Sequence, residues 1–248
     1  MENYFNTAIA GKKIVITGGT TGIGRAIAIQ LNSLGATCLI CGRNQEQIDE
    51  TLSIFNSVDS TESKGIIVDL SRAEDIKKLF EFADNELGNI DIFINNAALA
   101  YGSVLEGEYE DWQYIINTNL LAYLACCKEA IIRMERSGGG QIINIGSMSA
   151  DVREEDGSVY VATKAGIQGF SEALRKEVNR KGIKVTLIEP GAVDTDMQEG
   201  STSEKLEKVE NQEMMKAEDI ARAVLFCIAQ SEGSDVVDLK IRPHLQSI

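Results

Sequence analysis

A serine, a tyrosine and a lysine lie near one another in the middle of this chain, in a pattern that could perform acid–base chemistry. Ser147 follows an apolar run, and Tyr160 and Lys164 stand four residues apart in a stretch that predicts a helix. Residues at that spacing share one helix face, which would place the lysine ammonium beside the phenol. A nearby cation favours the phenolate, so Tyr160 could exchange a proton near neutral pH. Ser147 could then hold a substrate oxygen against the phenol.

A glycine-rich turn near the N-terminus predicts a pyrophosphate-binding site. An apolar run, 12–17, is followed by glycines in the spacing Gly-x-x-x-Gly-x-Gly and then by a stretch, 25–31, that predicts a helix. A strand, a glycine turn and a helix together direct backbone N–H groups and the helix N-terminus at a pyrophosphate. The predicted cradle consists of Thr17, Gly18, Thr20, Thr21, Gly22, Ile23 and Gly24.

The end of the second predicted strand, 36–41, indicates which dinucleotide would bind. An acidic residue there would bind the ribose 2′-hydroxyl of NAD, whereas an arginine would accept the 2′-phosphate of NADP. This chain has Gly42, Arg43 and Asn44 at that point and no acidic residue. Arg43 therefore favours NADP(H), with NAD(H) as the alternative.

Strands and helices alternate along the rest of the chain, which predicts a parallel sheet covered on both faces. The helix 71–88 has Ser71 and Glu74 in the spacing of a capping box. No linker, repeat or low-complexity tract divides the sequence, so we expect one α/β domain over 1–248, a Rossmann-like, doubly wound sheet of about seven strands. The cofactor half would be about 10–100 and the catalytic and substrate half about 101–248. The remaining predicted helices are 44–56, 111–136, 159–181 and 217–230, and the remaining strands are 65–69, 91–94, 141–145, 183–189 and 236–241.

Composition excludes several other classes of protein. The 248 residues carry a net charge of −14, which argues against nucleic acid as a partner. No apolar run has the length of a membrane span, and the N-terminus lacks the pattern of a signal peptide, so we expect a cytoplasmic protein without a membrane partner. Cys38 and Cys41 have redox or zinc spacing but lie in an apolar strand, which favours buried, reduced thiols. The single histidine, His244, leaves little material for a metal site, and none is predicted.

Taken together, these motifs resemble the short-chain dehydrogenase/reductase family over nearly the whole chain. The matching residues are Thr17, Gly18, Gly22, Gly24, Asp69, Asn95, Asn96, Ala97, Asn119, Ser147, Tyr160, Lys164, Pro190, Gly191 and Thr195. The resemblance implies an oxidoreductase that transfers a hydride between a nicotinamide and a small carbonyl or secondary alcohol.

The resemblance also implies a role for each catalytic residue. Tyr160 would be the general acid in carbonyl reduction, and Lys164 would lower the pKa of that tyrosine and bind the nicotinamide ribose. Ser147 would polarise the substrate carbonyl, and Asn119 would hold a water in the proton relay. In the cofactor site, Asp69 and Leu70 would flank the adenine, Asn95 and Ala97 would line the cofactor strand, and Pro190, Gly191, Val193 and Thr195 would hold the carboxamide face.

Three positions depart from the family pattern. Ala98 stands where a glycine usually follows Asn-Asn-Ala, and Gly146 stands before Ser147 where serine is frequent. The C-terminal region lacks the Asp-Gly-Gly ending of many acyl-reducing relatives. This last difference makes an acyl-carrier substrate less favoured.

Two further expectations concern the surroundings of the site. The charged segment 192–216 would be a lid over the nicotinamide, with a surface loop as the alternative. The helices that carry Asn119 and Tyr160 are apolar on more than one face, which predicts a helix-to-helix interface in a homodimer or homotetramer. Deep burial between the sheet and the loops is the alternative explanation.

Other functions remain open at this stage. The chain could be an NAD(H)-dependent alcohol dehydrogenase of the same family, or a non-catalytic dinucleotide-binding sensor or scaffold. A dehydratase or epimerase using the same site is disfavoured because no additional acid–base residue can be assigned to it. The physiological substrate cannot be read from the sequence.

Overall fold

A computed structural model of the protein describes residues 7–58, 62–198 and 200–246. Within these residues, seven strands form one sheet in the order β3-β2-β1-β4-β5-β6-β7, and every neighbouring pair is parallel. The strands are β1 Lys13–Thr17, β2 Thr37–Gly42, β3 Lys64–Ile67, β4 Ile92–Asn95, β5 Gly140–Ile145, β6 Ile183–Pro190 and β7 Asp238–Ile241. The predicted doubly wound α/β fold is confirmed.

Helices connect the strands and cover both faces of the sheet. They are α1 Gly22–Ser33, α2 Gln45–Val58, α3 Ala73–Glu86, α4 Tyr109–Ile116, α5 Ala122–Ser137, α6 Ser149–Val152, α7 Ser158–Val178, α8 Thr202–Glu210 and α9 Ala217–Ile228. A π-helical turn, Asn117–Leu121, joins α4 to α5, and a 3₁₀ turn, Asn179–Lys181, follows α7. The strand order reverses between β1 and β4, and in sheets of this kind ligands bind outside the carboxyl ends of the strands at that point.

The core has two layers because successive strand residues face opposite sides of the sheet. Ile14 and Ile16 pack in one layer, and Val15 packs in the other. Cys38 and Cys41 are divided between the layers in the same way, and burial raises the pKa of each thiol to about 12. All five cysteines are free and buried, which confirms the expectation of buried, reduced thiols.

The stretch predicted as one helix over 111–136 is interrupted. The π-helical turn Asn117–Leu121 lies between α4 and α5, and π turns of this kind frequently mark functional sites. The combined stretch Tyr109–Ser137 is apolar enough to cross a membrane by length and composition. Its face formed by Cys126, Cys127 and Ala130 is fully buried in the core, as expected of an interior helix of this fold.

One local prediction was wrong, and one segment contains a helix that was not predicted. The capping box of Ser71 and Glu74 does not form, because α3 begins after Arg72, and the Oδ2 atom of Asp75 instead accepts a hydrogen bond from the Asp69 N–H at 2.7 Å. The segment 192–216, predicted to be a lid with a surface loop as the alternative, contains α8. The hydroxyl of Ser201 caps this helix by accepting from the backbone N–H of Glu204.

Candidate active site

A cleft of about 1050 Å³ opens at the carboxyl ends of the strands, at the point where the strand order reverses. Of the predicted site residues, those that line it are Gly18, Thr20, Thr21, Gly22, Ile23, Arg43, Asp69, Leu70, Ala97, Ser147, Tyr160, Lys164, Pro190, Gly191, Val193 and Thr195. Thr17, Gly24, Asn95 and Asn119 lie behind this lining. The cleft therefore joins the predicted cofactor and catalytic residues in one cavity.

The glycine turn has the geometry of a pyrophosphate cradle. Gly18 and Gly22 adopt positive φ angles of 62° and 50°, which favour glycine. A methyl group on Gly22 would come 3.1 Å from Cγ2 of Thr195 on the opposite wall, so glycine keeps this passage open. Gly24 lets α1 pack on the turn, since a Cβ there would lie 2.1 Å from the Gly18 carbonyl oxygen. These features fit a dinucleotide whose pyrophosphate lies at the N-terminus of α1.

Thr17 and Asn96 connect the glycine turn to the end of β4. The Thr17 hydroxyl accepts hydrogen bonds from the backbone N–H groups of Asn96 at 2.9 Å and Ala97 at 3.1 Å. In return, Asn96 Nδ2 donates to the carbonyl oxygens of Thr17 at 3.0 Å and Gly18 at 3.1 Å. Asn96 was in the sequence motif but had no assigned role, and here it fixes the shape of the cradle.

Asn95 does not reach the cleft with its side chain. It is 1% exposed and donates through Nδ2 to Oδ1 of Asn144 on β5 at 3.0 Å. Side chains alternate along a strand, so Asn95 points into the core when its neighbour Asn96 points toward the turn. Asn95 was expected to line the cofactor strand. Its side chain instead lies in the core, where it supports the end of β4.

Arg43 lines the cleft just after β2, the end at which the sequence predicts the adenosine. Its Nη1 atom donates to the Tyr114 hydroxyl at 2.7 Å, and that hydroxyl lies 3.4 Å from Oδ2 of Asp69, to which it donates. Tyr114, on α4, was missed by the sequence analysis. No local sequence pattern identifies Tyr114, because its contact with Arg43 joins segments that are 71 positions apart.

The backbone fixes the position of Ser147. This residue follows β5, and the flanking N–H groups of Gly146 and Met148 donate to the carbonyl oxygens of Ile188 at 2.7 Å and Pro190 at 3.0 Å. Its hydroxyl accepts from the Ser149 N–H at 3.2 Å, and it lies close enough to the Tyr160 phenol to lower the pKa of that group. The serine and the tyrosine are thus brought together, as predicted.

Lys164 is 2% exposed and lies on α7 one turn after Tyr160. Its Nζ donates to the Ile145 carbonyl oxygen at 3.0 Å and stands 5.6 Å from the centre of the Tyr160 ring. Burial lowers the lysine pKa to about 8, and the carboxylate of Glu189 opposes that shift. This lysine therefore titrates closer to neutrality than an ordinary one.

The phenol of Tyr160 has a raised pKa of about 12, because burial penalises its anion. The hydrogen bond from Ser147 lowers it, and the negative charge of Glu154 raises it. The resemblance implied that Lys164 would lower the pKa of Tyr160, but burial has the larger effect and raises this pKa. The ammonium lies against the ring and donates to the main chain at Ile145.

Asn119 lies in the π-helical turn and is fully buried. Its amide exchanges two hydrogen bonds of 2.8 Å with the backbone of Leu99, one with the N–H and one with the carbonyl. The side chain thus holds the segment after Asn96–Ala97 in place, and Leu99 lines the cleft. Its expected role in holding a water stays a prediction.

Among the described residues, no group of three or more His, Cys, Asp or Glu side chains could hold a metal ion.

The comparisons with known proteins agree with this geometry. Residues 12–206 match the family model for short chain dehydrogenases. The chain belongs to the short-chain dehydrogenase family. It is therefore an oxidoreductase acting on CH–OH or C=O groups.

Individual relatives match along almost their full lengths. An uncharacterized oxidoreductase from Staphylococcus epidermidis is 33% identical, over 94% of this chain and 97% of that protein. The 3-oxoacyl-[acyl-carrier-protein] reductase FabG from Haemophilus influenzae is 36% identical, over 90% of this chain and 93% of its own. The crystal structure of a short chain dehydrogenase from Burkholderia cenocepacia, in complex with NADP, superimposes with a TM-score of 0.85 at 26% identity, covering 95% of this chain and 98% of that one.

Proposed function

We propose that this short-chain dehydrogenase is an NADP(H)-dependent enzyme that interconverts a small carbonyl compound and its secondary alcohol. The observation that carries the proposal is the meeting of Ser147, Tyr160 and Lys164 in the same cleft as the glycine turn. A protein that only bound a dinucleotide would have no need of the three catalytic side chains.

The proposed chemistry divides between the cofactor and the protein. The nicotinamide supplies or accepts the hydride when it is bound. Tyr160 donates a proton to the carbonyl oxygen in reduction, and Ser147 orients that oxygen and stabilises its developing charge. A phenol whose pKa is raised to about 12 carries its proton at neutral pH, which is the form that reduction requires.

Arg43 supports the preference for NADP(H). It lines the adenosine end of the cleft, and no acidic residue stands beside it at the end of β2. The Burkholderia relative was crystallised with NADP, which agrees with this preference. An NAD(H)-dependent alcohol dehydrogenase is the alternative, favoured by Asp69, which shares the hydroxyl of Tyr114 with Arg43.

The charges around the cleft support a substrate that is not strongly anionic. Among its described lining residues, Arg43 and Lys164 are the basic ones, and both are engaged in the cofactor and catalytic roles proposed above. Glu154, Glu155 and Asp156 line the side near Tyr160, and Asp196 lines the wall after β6. These acids would repel an acidic carrier protein, so a free small molecule fits the cleft better than an acyl-carrier substrate.

The exposed apolar residues on α4, the π-helical turn and α5 support the proposal of a homodimer or homotetramer. Ile116, Leu121 and Leu124 are 45%, 53% and 38% exposed. Cys126 and Cys127, which also suggested an interface, are buried in the chain's own core. We also propose that the segment 192–216 is a lid over the cleft, because Thr195, Met197 and Gln198 of that segment line it. A cytoplasmic location remains part of the proposal as well.

The deciding experiment compares the wild-type protein with Tyr160→Phe on a panel of small ketones and aldehydes with NADPH. We expect the variant to lose turnover by roughly 10²–10⁴-fold, the usual contribution of a general acid. Calorimetric titration should give the same NADPH affinity for both proteins. Undiminished turnover in the variant would overturn the mechanism, and NADPH binding without turnover of any substrate by the wild type would favour a sensor.

A further inference from the structure

A buried carboxylate lies beside Gly146, the residue that precedes Ser147. Glu189, the penultimate residue of β6, is fully buried. A charged carboxylate is almost never found in that environment unless it is paired. Its partners are Nζ of Lys240 on β7, at 3.4 Å, and Nε2 of Gln168 on α7, at 3.4 Å and 3.5 Å from its two oxygens.

The contacts of this carboxylate place it on the same side of α7 as the catalytic lysine. Gln168 follows Lys164 by one helical turn, so the two side chains leave α7 on the same face. Ile145, whose carbonyl oxygen accepts from the lysine, pairs with Ile188 in the sheet, directly before Glu189. The negative charge of Glu189 is the one that raises the pKa of Lys164 against the effect of burial.

Gly146 explains how the carboxylate fits. A Cβ atom at this position would lie 3.1 Å from Cγ of Glu189 and 3.0 Å from Cδ1 of Leu187. A serine there, as the family frequently has, would crowd the stem of the glutamate. The glycine at 146 therefore leaves room for the side chain of Glu189.

We propose that Glu189 is the buried counter-charge of Lys164, a positioning residue that keeps the ammonium protonated in the site, and that Gly146 is glycine to make room for it. The proposal rests on the function proposed above only in giving Lys164 a catalytic purpose. The effect of Glu189 on the protonation of Lys164 is a property of the protein alone.

The other charges around Glu189 act on it from α6 and β7. Lys240 also pairs with Asp151 on α6, and Arg153 acts on Asp151 in turn. Burial raises the pKa of Glu189, as do Asp238 and Asp151, whereas Lys240 lowers it. Lys240 is thus the group that lowers the pKa of this carboxyl and favours its ionised form.

The test is the titration of Lys164 itself, in the protein without cofactor. Lysine isotopically labelled at Cε gives a resonance that follows the charge of each ammonium, and its absence in Lys164→Met identifies the relevant one. We expect Glu189→Gln, which keeps shape and removes charge, to lower the pKa of Lys164 by roughly 1 unit, as loss of a nearby opposite charge does. Gly146→Ser should lower it in the same direction by displacing the carboxylate.

Asp238→Asn is the matched control, because it removes a carboxylate from the same cluster without touching Lys164, and it should leave the titration unchanged. Circular dichroism establishes that each variant is folded. An unchanged Lys164 titration in both Glu189→Gln and Gly146→Ser would overturn the proposal.

Steady-state kinetics separates this proposal from the proposed function. If Lys164 acts in catalysis, the alkaline limb of the kcat profile moves to lower pH in Glu189→Gln by the same amount as the titration. If the pKa of Lys164 shifts in Glu189→Gln but the wild type turns over no carbonyl substrate, the proposed role of Glu189 is supported and the proposed function is contradicted.

Discussion

Arg43 donates a hydrogen bond of 2.7 Å to the hydroxyl of Tyr114, which places a tyrosine of α4 against the arginine that lines the cleft after β2. The same hydroxyl lies 3.4 Å from a carboxylate oxygen of Asp69. The arginine is exposed on the surface and would otherwise be free to adopt many rotamers. Tyr114 therefore holds Arg43 in place before any cofactor binds.

This contact predicts a graded effect on cofactor choice. Arg43→Ala should weaken NADPH binding by roughly 10–100-fold, the value of one or two charge-assisted hydrogen bonds, and leave NADH binding nearly unchanged. Tyr114→Phe should weaken NADPH binding less, because the arginine remains but loses its support. Titration of both cofactors into each variant measures the effect. Equal losses for NADPH and NADH in Arg43→Ala would reject the arginine as the selector.

The buried ammonium of Lys164 should lower stability. Its pKa falls from an ordinary 10.5 to about 8 on folding, a shift that corresponds to roughly 3 kcal/mol at about 1.4 kcal/mol per unit. Between these two values the unfolded chain binds the proton and the folded protein does not, so this group's contribution to stability improves as pH rises through that window. Below about pH 8 its unfavourable effect is fully present.

Lys164→Met should therefore be more stable than the wild type at pH 7 by about 1–3 kcal/mol, and inactive, since functional groups are often kept at the expense of stability. The Ile145 carbonyl keeps its second hydrogen bond, from the Tyr123 hydroxyl at 3.1 Å. Urea unfolding at pH 7 and near pH 10.5 measures the difference, which should vanish at the higher pH. Lys176→Met on the exposed face of the same helix is the control, with an expected change within about 0.5 kcal/mol.

Gly24 should tolerate no side chain. In Gly24→Ala the new methyl would lie 2.1 Å from the Gly18 carbonyl oxygen, so α1 must move away from the turn. We expect a loss of about 1–3 kcal/mol in unfolding free energy, as overpacking gives, together with weaker NADPH binding. Gly169→Ala on α7 meets no atom within 4 Å and should gain up to about 1 kcal/mol through helix propensity. Similar effects of the two substitutions on thermal unfolding would contradict the packing argument.

The proposed subunit interface predicts that a charge at its centre separates the subunits. Leu121→Glu places a carboxylate in the exposed apolar patch of Ile116, Leu121 and Leu124, where burial against a partner would cost several kcal/mol. Light scattering after size exclusion should show a smaller particle than the wild type. Leu206→Glu, at a leucine 51% exposed on α8, should leave the mass unchanged. A wild type that is already monomeric would remove the prediction.

The sheet, its helices and the group of Ser147, Tyr160 and Lys164 could all be predicted from sequence, because strand and helix periodicity and motif spacing are local signals. The helix α8 could have been predicted as well. Ser201 and Glu204 form a capping box of the expected spacing, in a segment that was predicted only as a lid, with a surface loop as the alternative.

The supporting contacts could not be predicted, because they depend on which segments the fold brings together. Tyr114 meets Arg43 across 71 positions, and Gln168 meets Glu189 across 21. The π-helical turn Asn117–Leu121 has no sequence signal either. The two hydrogen bonds that Asn119 makes from this turn to Leu99 are likewise seen only in the folded chain.

Backbone hydrogen bonds join the two ends of the segment that follows β6. Val193 pairs with Met215, and the backbone N–H groups of Asp194 and Met215 donate to Met215 and Ala192 carbonyl oxygens at 2.8 Å and 2.9 Å. The two ends of the intervening stretch therefore meet whatever lies between them, and a change in its length costs little additional loop entropy. Because its ends are paired, the stretch can be replaced by another one, in evolution or by engineering. Such a replacement would change one wall of the cleft and leave the sheet, the serine, the tyrosine and the lysine unchanged.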